Sequence, residues 1–185
     1  IKLLIEHGAN VDYPNKHGET ALMQAAYEGH TATAELLIAN GAEVNSVNNN
    51  GATPLHIAAQ NDYKEIVQAL LKKEGAGINK HEKDGITPLF IAAQNDRKEI
   101  VELLLRQNSI NVNQPNNNGI TPLYIAAKYG NEEIVKSLIQ AGAEVSKADS
   151  SGNTALTVAI QRNQLACLKI LVENGVDLGK SIKNK

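Results

Sequence analysis

One short phrase recurs five times along this chain. It follows a glycine each time and reads ETALMQAA, ATPLHIAA, ITPLFIAA, ITPLYIAA and NTALTVAI. The five glycines, Gly18, Gly51, Gly85, Gly119 and Gly152, are separated by 33, 34, 34 and 33 residues. A period of this length is typical of repeat proteins, in which each unit buries its apolar face against its neighbours. The chain is therefore expected to fold as an array of similar units.

Each unit carries the signals of two short helices. A threonine such as Thr53 can accept a hydrogen bond from the backbone at a helix start, and the proline after it suits the first turn. The small apolar residues that follow give way, after about two turns, to a polar pair such as Gln60-Asn61. A second stretch, such as residues 65–71, then places its apolar residues on one helical stripe. We expect a helix–turn–helix unit.

Left-handed residues are predicted to end the second helices, because glycine adopts that conformation without steric cost. We assign this role to Gly41, Gly75, Asn108, Gly142 and Gly175. From there an extended segment such as residues 42–45 leads to a turn ending in Asn50-Gly51 or Asn118-Gly119. These pairs are favoured in tight hairpin turns. A protruding hairpin is therefore expected after each helix pair.

The combination of TPLHIAA, IVxxLL and GAxVN closely resembles the ankyrin repeat over nearly the whole chain. The resemblance implies an all-α repeat solenoid of helix–turn–helix units with protruding β-hairpin loops. We assign one domain to 1–185, with a partial repeat at 1–15, repeats at 16–48, 49–82, 83–116, 117–149 and 150–179, and a tail at 180–185. Because the opening unit lacks its first half, we expect a fragment of a longer protein. The last repeat is interpreted as a terminal cap with a polar outer face.

The histidine of the TPLH phrase is implied by the resemblance to make a structural hydrogen bond. Only His56 occupies this position as histidine, and four other residues stand in its place in the remaining repeats. They are Met23, Phe90, Tyr124 and Thr157. We interpret the polar bond as dispensable in those four repeats.

Composition narrows the class of partner. Eighteen basic and twenty acidic residues leave a net charge of -2, so the chain lacks the one-sided positive field on which nucleic-acid binding depends.

No apolar run is long enough for a membrane span, and no signal segment is recognisable. The single cysteine, Cys167, cannot pair within the chain, which a reducing compartment permits. We expect an intracellular protein, cytoplasmic or nuclear, that is monomeric and binds neither nucleic acid nor membrane.

The residues do not combine into a catalytic site. Cys167 stands at the register of Ile66, Ile100 and Ile134 on the second-helix core stripe, where a buried, unreactive thiol is expected. The five histidines form no pair at metal-ligand spacing, and the glycines are not clustered into a phosphate-binding loop. We therefore predict that the chain is not an enzyme and holds neither cofactor nor metal.

Three asparagines recur at one hairpin position, namely Asn45, Asn79 and Asn113. In proteins that resemble ankyrin, an oxygen-dependent asparaginyl hydroxylase can modify this position. The alternative is that each side chain simply hydrogen-bonds the hairpin, and the two interpretations are compatible. Asn45 lies in the fullest match and is expected to be the best substrate.

The predicted function is non-catalytic binding of another protein, in the manner of a scaffold. The resemblance implies contacts through the concave face, which the first helices line, and through the hairpin tips. Carried onto this sequence, the partner-binding residues are Glu19, Tyr27, Glu28, Asn49, Asn50, Gln60, Asn61, Ile86, Gln94, Asn95, Asn117, Asn118, Ile120, Lys128, Tyr129, Gln161 and Arg162. Tyr27, Ile86, Ile120 and Tyr129 are the expected anchors. The alternatives are a substrate-recruiting domain of a larger enzyme or effector, and a structural spacer.

Overall fold

The computed structural model of the protein describes residue 3 and residues 7–174. Helices account for the regular structure of these residues, and no β-strand occurs among them. We number the helices α1 Ala21–Glu28, α2 Thr31–Ala39, α3 Pro54–Gln60, α4 Lys64–Leu71, α5 Pro88–Gln94, α6 Lys98–Leu105, α7 Pro122–Tyr129, α8 Glu132–Gln140, α9 Ala155–Gln161 and α10 Leu165–Glu173. The chain is an all-helical repeat solenoid, as its sequence predicts.

The helices belong to two compact units, Ile1–Ala92 and Ala93–Lys185, and α5 runs from one into the other. In the first unit, α1 packs against α2 and α3, and α4 packs against α2 and α3. In the second unit, α7 packs against α8 and α9, while α8 and α9 both pack against α10. First helices therefore stack on first helices and second helices on second helices. Leucine, isoleucine, valine and alanine fill the core between them.

Threonine begins every first helix, as predicted. The hydroxyls of Thr20, Thr53, Thr87, Thr121 and Thr154 each accept a hydrogen bond from the backbone N–H three residues on, at 3.1–3.4 Å. Proline occupies the first turn of α3, α5 and α7, where no helical N–H is required. The caps satisfy backbone donors that burial would otherwise leave without a partner.

The turn inside each helix pair contains a left-handed residue that our sequence reading did not identify. These residues are Gly29, Asp62, Asp96, Gly130 and Asn163, with φ between 54° and 80°. They recur every 33 or 34 residues, and all are types that tolerate this conformation. The signal was present in the sequence as a periodic Gly, Asp or Asn after each first helix.

The second helices end largely as predicted. Gly41, Gly75 and Gly142 have φ of 86°, 77° and 89°. The prediction for Asn108 is wrong, because Asp62, Asp96 and Asn163 are the non-glycine residues with positive φ in the described chain. There the last turn of α6 closes instead through Gln107, whose backbone N–H bonds the Leu104 carbonyl and whose side-chain amide bonds the Leu103 carbonyl. Gly175 lies outside the described residues.

The connections between repeats are tight loops, so the structure does not confirm the β-hairpins as paired strands. In the loop of residues 48–52, the Asn48 N–H donates to the Ala52 carbonyl at 3.0 Å and the Gly51 N–H donates to the Asn48 carbonyl at 2.8 Å. Successive loop tips within each unit are also joined, since Asn49 N–H donates to the His17 carbonyl at 2.9 Å. The tips are therefore held by backbone bonds between neighbouring repeats.

The last described repeat has a mixed outer surface. Ile160 is 58% exposed and Leu165 is 68% exposed, while Gln161, Arg162 and Lys169 supply polar side chains beside them. The interpretation of this repeat as a polar cap is therefore not confirmed. The tail at 180–185 and residues 1, 2 and 4–6 of the opening partial repeat lie outside the described residues. The repeat boundaries remain predictions.

Candidate functional site

A groove of about 210 Å³ lies between the first helices of the first unit and the loops that precede them. Five of the residues predicted to bind a partner line it. They are Glu19, Tyr27, Asn50, Gln60 and Asn61. The groove is open to solvent, and Tyr27 is 61% exposed at its wall. The structure thus brings this part of the predicted set together within one unit.

The sequence prediction missed three polar residues of the groove, Gln24, Asn48 and Glu82. Gln24 stands one helical turn before Tyr27 on the exposed side of α1, so helical spacing could have identified it. Asn48 and Glu82 lie at equivalent positions in two successive loops. Asn48 precedes the predicted tip residue Asn50 by two residues. Their inclusion depends on how each loop folds over the first helices, which the spacing alone does not define.

Several predicted contact residues already have partners within the protein. The Asn49 side-chain amide donates to the Lys16 carbonyl at 3.2 Å, and Glu28 accepts a bond from Gln24 at 3.2 Å. Ile86 is half-buried, and its carbonyl accepts bonds from the Glu82 N–H and from His56. Asn49 and Ile86 therefore have structural roles in loop packing, and Ile86 is a weaker candidate anchor than Tyr27.

In the second unit, Tyr129 is the most exposed of the predicted anchors there, at 52%. The Lys128 ammonium lies 5.7 Å from the centroid of the Tyr129 ring, a cation–π distance. Ile120 is half-buried, and its N–H donates to Asn116 Oδ1 at 3.0 Å. The Asn118 carbonyl accepts bonds from the Ser150 N–H and hydroxyl.

The other predicted residues of the second unit differ in exposure. Gln161 and Arg162 are exposed at the end of α9, and Gln94 and Asn95 are half-buried at the end of α5. Asn117 is exposed in its loop. Together with Tyr129, Gln161 and Arg162 offer exposed polar and aromatic side chains on the predicted face of this unit.

His56 is buried and fully engaged. Its Nδ1 accepts from the Thr53 N–H at 3.2 Å and lies 2.8 Å from the Thr53 hydroxyl. Its Nε2 lies 3.0 Å from the Ile86 carbonyl in the next repeat. Burial lowers the pKa of His56 from 6.5 to about 4, although the Ile86 bond favours the charged form. The neutral ring therefore fastens two repeats together.

The interpretation that the polar bond is dispensable in other repeats is wrong for two of them. The Thr157 hydroxyl replaces the imidazole within the cap, accepting from the Thr154 N–H at 2.8 Å. The Tyr124 hydroxyl bonds the carboxylate of Asp149 in the following repeat, and burial followed by the Asp149 charge raises the pKa of Tyr124. Thr157 thus keeps the bond within the cap, and Tyr124 keeps the bond between repeats.

The asparagines of the predicted hydroxylation site also connect repeats. Asn45 donates from Nδ2 to the Gly75 carbonyl at 2.8 Å and accepts from the Gly77 N–H at 2.7 Å. Asn113 repeats this arrangement with the Gly142 carbonyl and the Glu144 N–H. Asn79, at the same register, is half-buried. These contacts explain the recurrence of asparagine structurally and leave the modification itself a prediction.

Cys167 is fully buried, and burial raises the pKa of its thiol to about 11. A thiol with this pKa is a poor nucleophile at neutral pH. Within the described residues, no three His, Cys, Asp or Glu side chains are grouped closely enough to hold a metal ion. The helices of the described chain also include none that is long and apolar enough to cross a membrane.

Comparison with known families gives one result across the sequence. A family model described as ankyrin repeats in three copies matches residues 1–48, 32–116, 70–149 and 109–182. These overlapping matches extend from the first residue to residue 182. No match to an individual curated protein was found.

Proposed function

Because the chain belongs to the ankyrin repeat family, we propose that it binds a partner protein through the first helices and loop tips of its repeats. Ankyrin repeats are in general protein–protein interaction modules, and the family is typically non-catalytic. The proposed primary contact is the groove of the first unit. Tyr129, Gln161 and Arg162 form a second proposed contact, in the second unit.

The observation that carries this proposal is the exposed ring of Tyr27 at the wall of a polar groove. Tyrosine is enriched among the residues that dominate binding energy, because its ring covers a large area and loses little conformational entropy. Gln60, Asn61 and Asn50 line the same groove and can hydrogen-bond a partner backbone. An aromatic wall beside amide groups suits an extended segment of protein.

The alternative is that these repeats recruit the substrate of a larger enzyme or effector. The same groove would serve that role, so the two functions differ in what the partner undergoes after binding. An intracellular location and a monomeric state accompany either function in our proposal. A spacer role, the third possibility, requires no groove contact with a partner.

The test is affinity capture from cell lysate with quantitative mass spectrometry. Wild type is compared with the double variant Tyr27→Ala/Gln60→Ala and with Tyr13→Ala, which removes another exposed tyrosine that does not line the groove. We expect partners that are retained by wild type and Tyr13→Ala but lost by the double variant. Identical partner profiles for all three proteins would contradict groove binding, provided that circular dichroism shows equal folding.

A further inference from the structure

Glu82 stands at a loop position where the other four loops carry Asn or Asp. In each of those four loops, one oxygen of this side chain accepts hydrogen bonds from the backbone N–H groups two and four residues further along the chain, at 2.8–3.0 Å. The four residues are Asn15, Asn48, Asn116 and Asp149. Their short side chains are therefore used to close the loop.

The Glu82 loop closes through its backbone. The Glu82 N–H donates to the Ile86 carbonyl at 3.0 Å, and the Gly85 N–H donates to the Glu82 carbonyl at 2.9 Å. The Asn48 loop has the same two bonds at 3.0 and 2.8 Å. The longer Glu82 side chain is not needed for this closure, and it lines the groove that contains Tyr27.

The surroundings of Glu82 disfavour the charged form of its side chain. It is half-buried, and burial together with the nearby charge of Asp84 raises its pKa. Both influences disfavour the charged form of the carboxylate. Glu19, the other acidic residue of the groove, accepts a bond from the Asn15 amide at 2.9 Å.

The groove has acidic and no basic lining residues in the described chain. Lys16, His17 and Lys83 belong to the adjacent loop tips but do not line the groove. A cation entering this space would relieve the repulsion around Glu82 and could lie against the face of the Tyr27 ring. An acidic or phosphorylated segment would meet two like charges, which disfavours it.

We propose that the groove of the first unit selects a partner segment that carries a Lys or Arg side chain, with Glu82 as the selecting counter-charge. The inference rests on the proposed function, because it concerns the same groove and names the chemistry of its occupant. Glu82 acts as a specificity determinant: its loop would close equally well with the asparagine found in neighbouring repeats.

The test begins with a random peptide library displayed on phage and selected against the whole chain. We expect Lys or Arg to be enriched at one position of the selected peptides. A selected peptide is then synthesised together with a neutral analogue, in which citrulline replaces Arg or norleucine replaces Lys. The affinities of both peptides are measured by calorimetry for wild type, Glu82→Gln and Glu82→Asn, with Glu35→Gln on the exposed surface of α2 as the control.

For wild type and Glu35→Gln, we expect the neutral analogue to bind about tenfold more weakly than the basic peptide. For both Glu82 variants the two peptides should bind almost equally. Glu82→Asn should fold at least as stably as wild type, because it restores the usual loop residue and removes a half-buried charge. Carboxyl NMR should also show the pKa of Glu82 falling when the basic peptide binds.

An equal preference for the basic peptide in wild type and both Glu82 variants would overturn this inference. Peptides that lack basic residues but lose affinity with Tyr27→Ala would also overturn it, while leaving groove binding intact. Peptides whose affinity is unchanged by Tyr27→Ala and Gln60→Ala would contradict groove binding and this inference together.

Discussion

The imidazole of His56 joins two repeats through a 3.0 Å contact between its Nε2 and the carbonyl oxygen of Ile86, thirty residues away. Its other nitrogen completes the cap of α3 through Thr53. The ring must be neutral to accept at Nδ1 while donating at Nε2. One side chain therefore connects a helix start to the stacking of the next repeat.

This contact predicts a loss of stability in mild acid. The pKa of folded His56 is about 4 and its ordinary value is 6.5, so the unfolded chain binds a proton first as pH falls. The stabilising contribution is complete above about pH 6.5 and is lost as pH falls towards 4. We expect this group to lower the free energy of unfolding by about 3 kcal/mol over that window, measured by urea unfolding at several pH values.

The matched variant is His56→Thr, because Thr157 occupies the same register and forms a cap with its hydroxyl. At pH 7 the variant should be less stable by about 2 kcal/mol, since it loses the bond between repeats and leaves a small cavity. Its stability should vary much less between pH 6.5 and 4.5. If the pH dependence of its stability equalled that of wild type, the role assigned to His56 would be contradicted. The control is His30→Ala, at an exposed residue, which should keep the pH dependence of wild type.

The fold could be predicted from sequence because the repeat signals are local and recur in register. Thr53 with Pro54 defines a helix start, and Gly41 defines a helix end, using only neighbouring residues. The prediction for Asn108 failed because the register suggested a left-handed residue there. Instead, Gln107 donates hydrogen bonds to the last carbonyl groups of α6. Local rules therefore identified the units but not every way of ending them.

A second inter-repeat bond is expected to stabilise the second unit. The Tyr124 hydroxyl bonds the Asp149 carboxylate, so Tyr124→Phe removes the bond while keeping the ring. We expect a loss of about 1–2 kcal/mol in the free energy of unfolding at pH 7, measured by urea denaturation. Tyr129→Phe is the control, since that side chain is exposed. Equal stabilities for the two variants would contradict the contribution of this bond.

Cys167 is expected to be unreactive in the native protein. It is fully buried and its pKa is raised to about 11, so little thiolate exists at neutral pH. An aromatic disulfide reagent at pH 8 should label it only at the rate of unfolding, and labelling should become fast in urea. Rapid labelling without denaturant would show that α10 opens readily or that the thiol is accessible.

Asn45 is predicted to be hydroxylated more slowly in the folded chain than in a peptide copying residues 36–56. Both ends of its amide are bonded to the next repeat, so the loop must be released before an enzyme can bind it extended. Mass spectrometry after incubation with an oxygen-dependent asparaginyl hydroxylase measures the addition of one oxygen atom. Absence of modification in both substrates would end the prediction, and equal rates would contradict the need for release.

The candidate site was harder to predict than the fold. Tyr27 and Gln60 could be proposed because the resemblance to ankyrin repeats assigns partner contacts to the exposed side of the first helices. Ile86 stays a predicted anchor, but its half-burial and its bonds to His56 and Glu82 depend on the neighbouring repeat and could not be predicted from local sequence. Glu82 was missed because only the folded loop shows that its side chain is unused by the turn and lines the groove.

Hydrogen–deuterium exchange of the chain with and without a captured partner tests the central claim most directly. The account predicts slower exchange on binding at residues 48–52 and 82–86, and in α1 and α3, with the effect abolished by Tyr27→Ala/Gln60→Ala and retained by Tyr13→Ala. Protection confined to the second helices α2 and α4, unchanged in the double variant, would contradict binding through the groove.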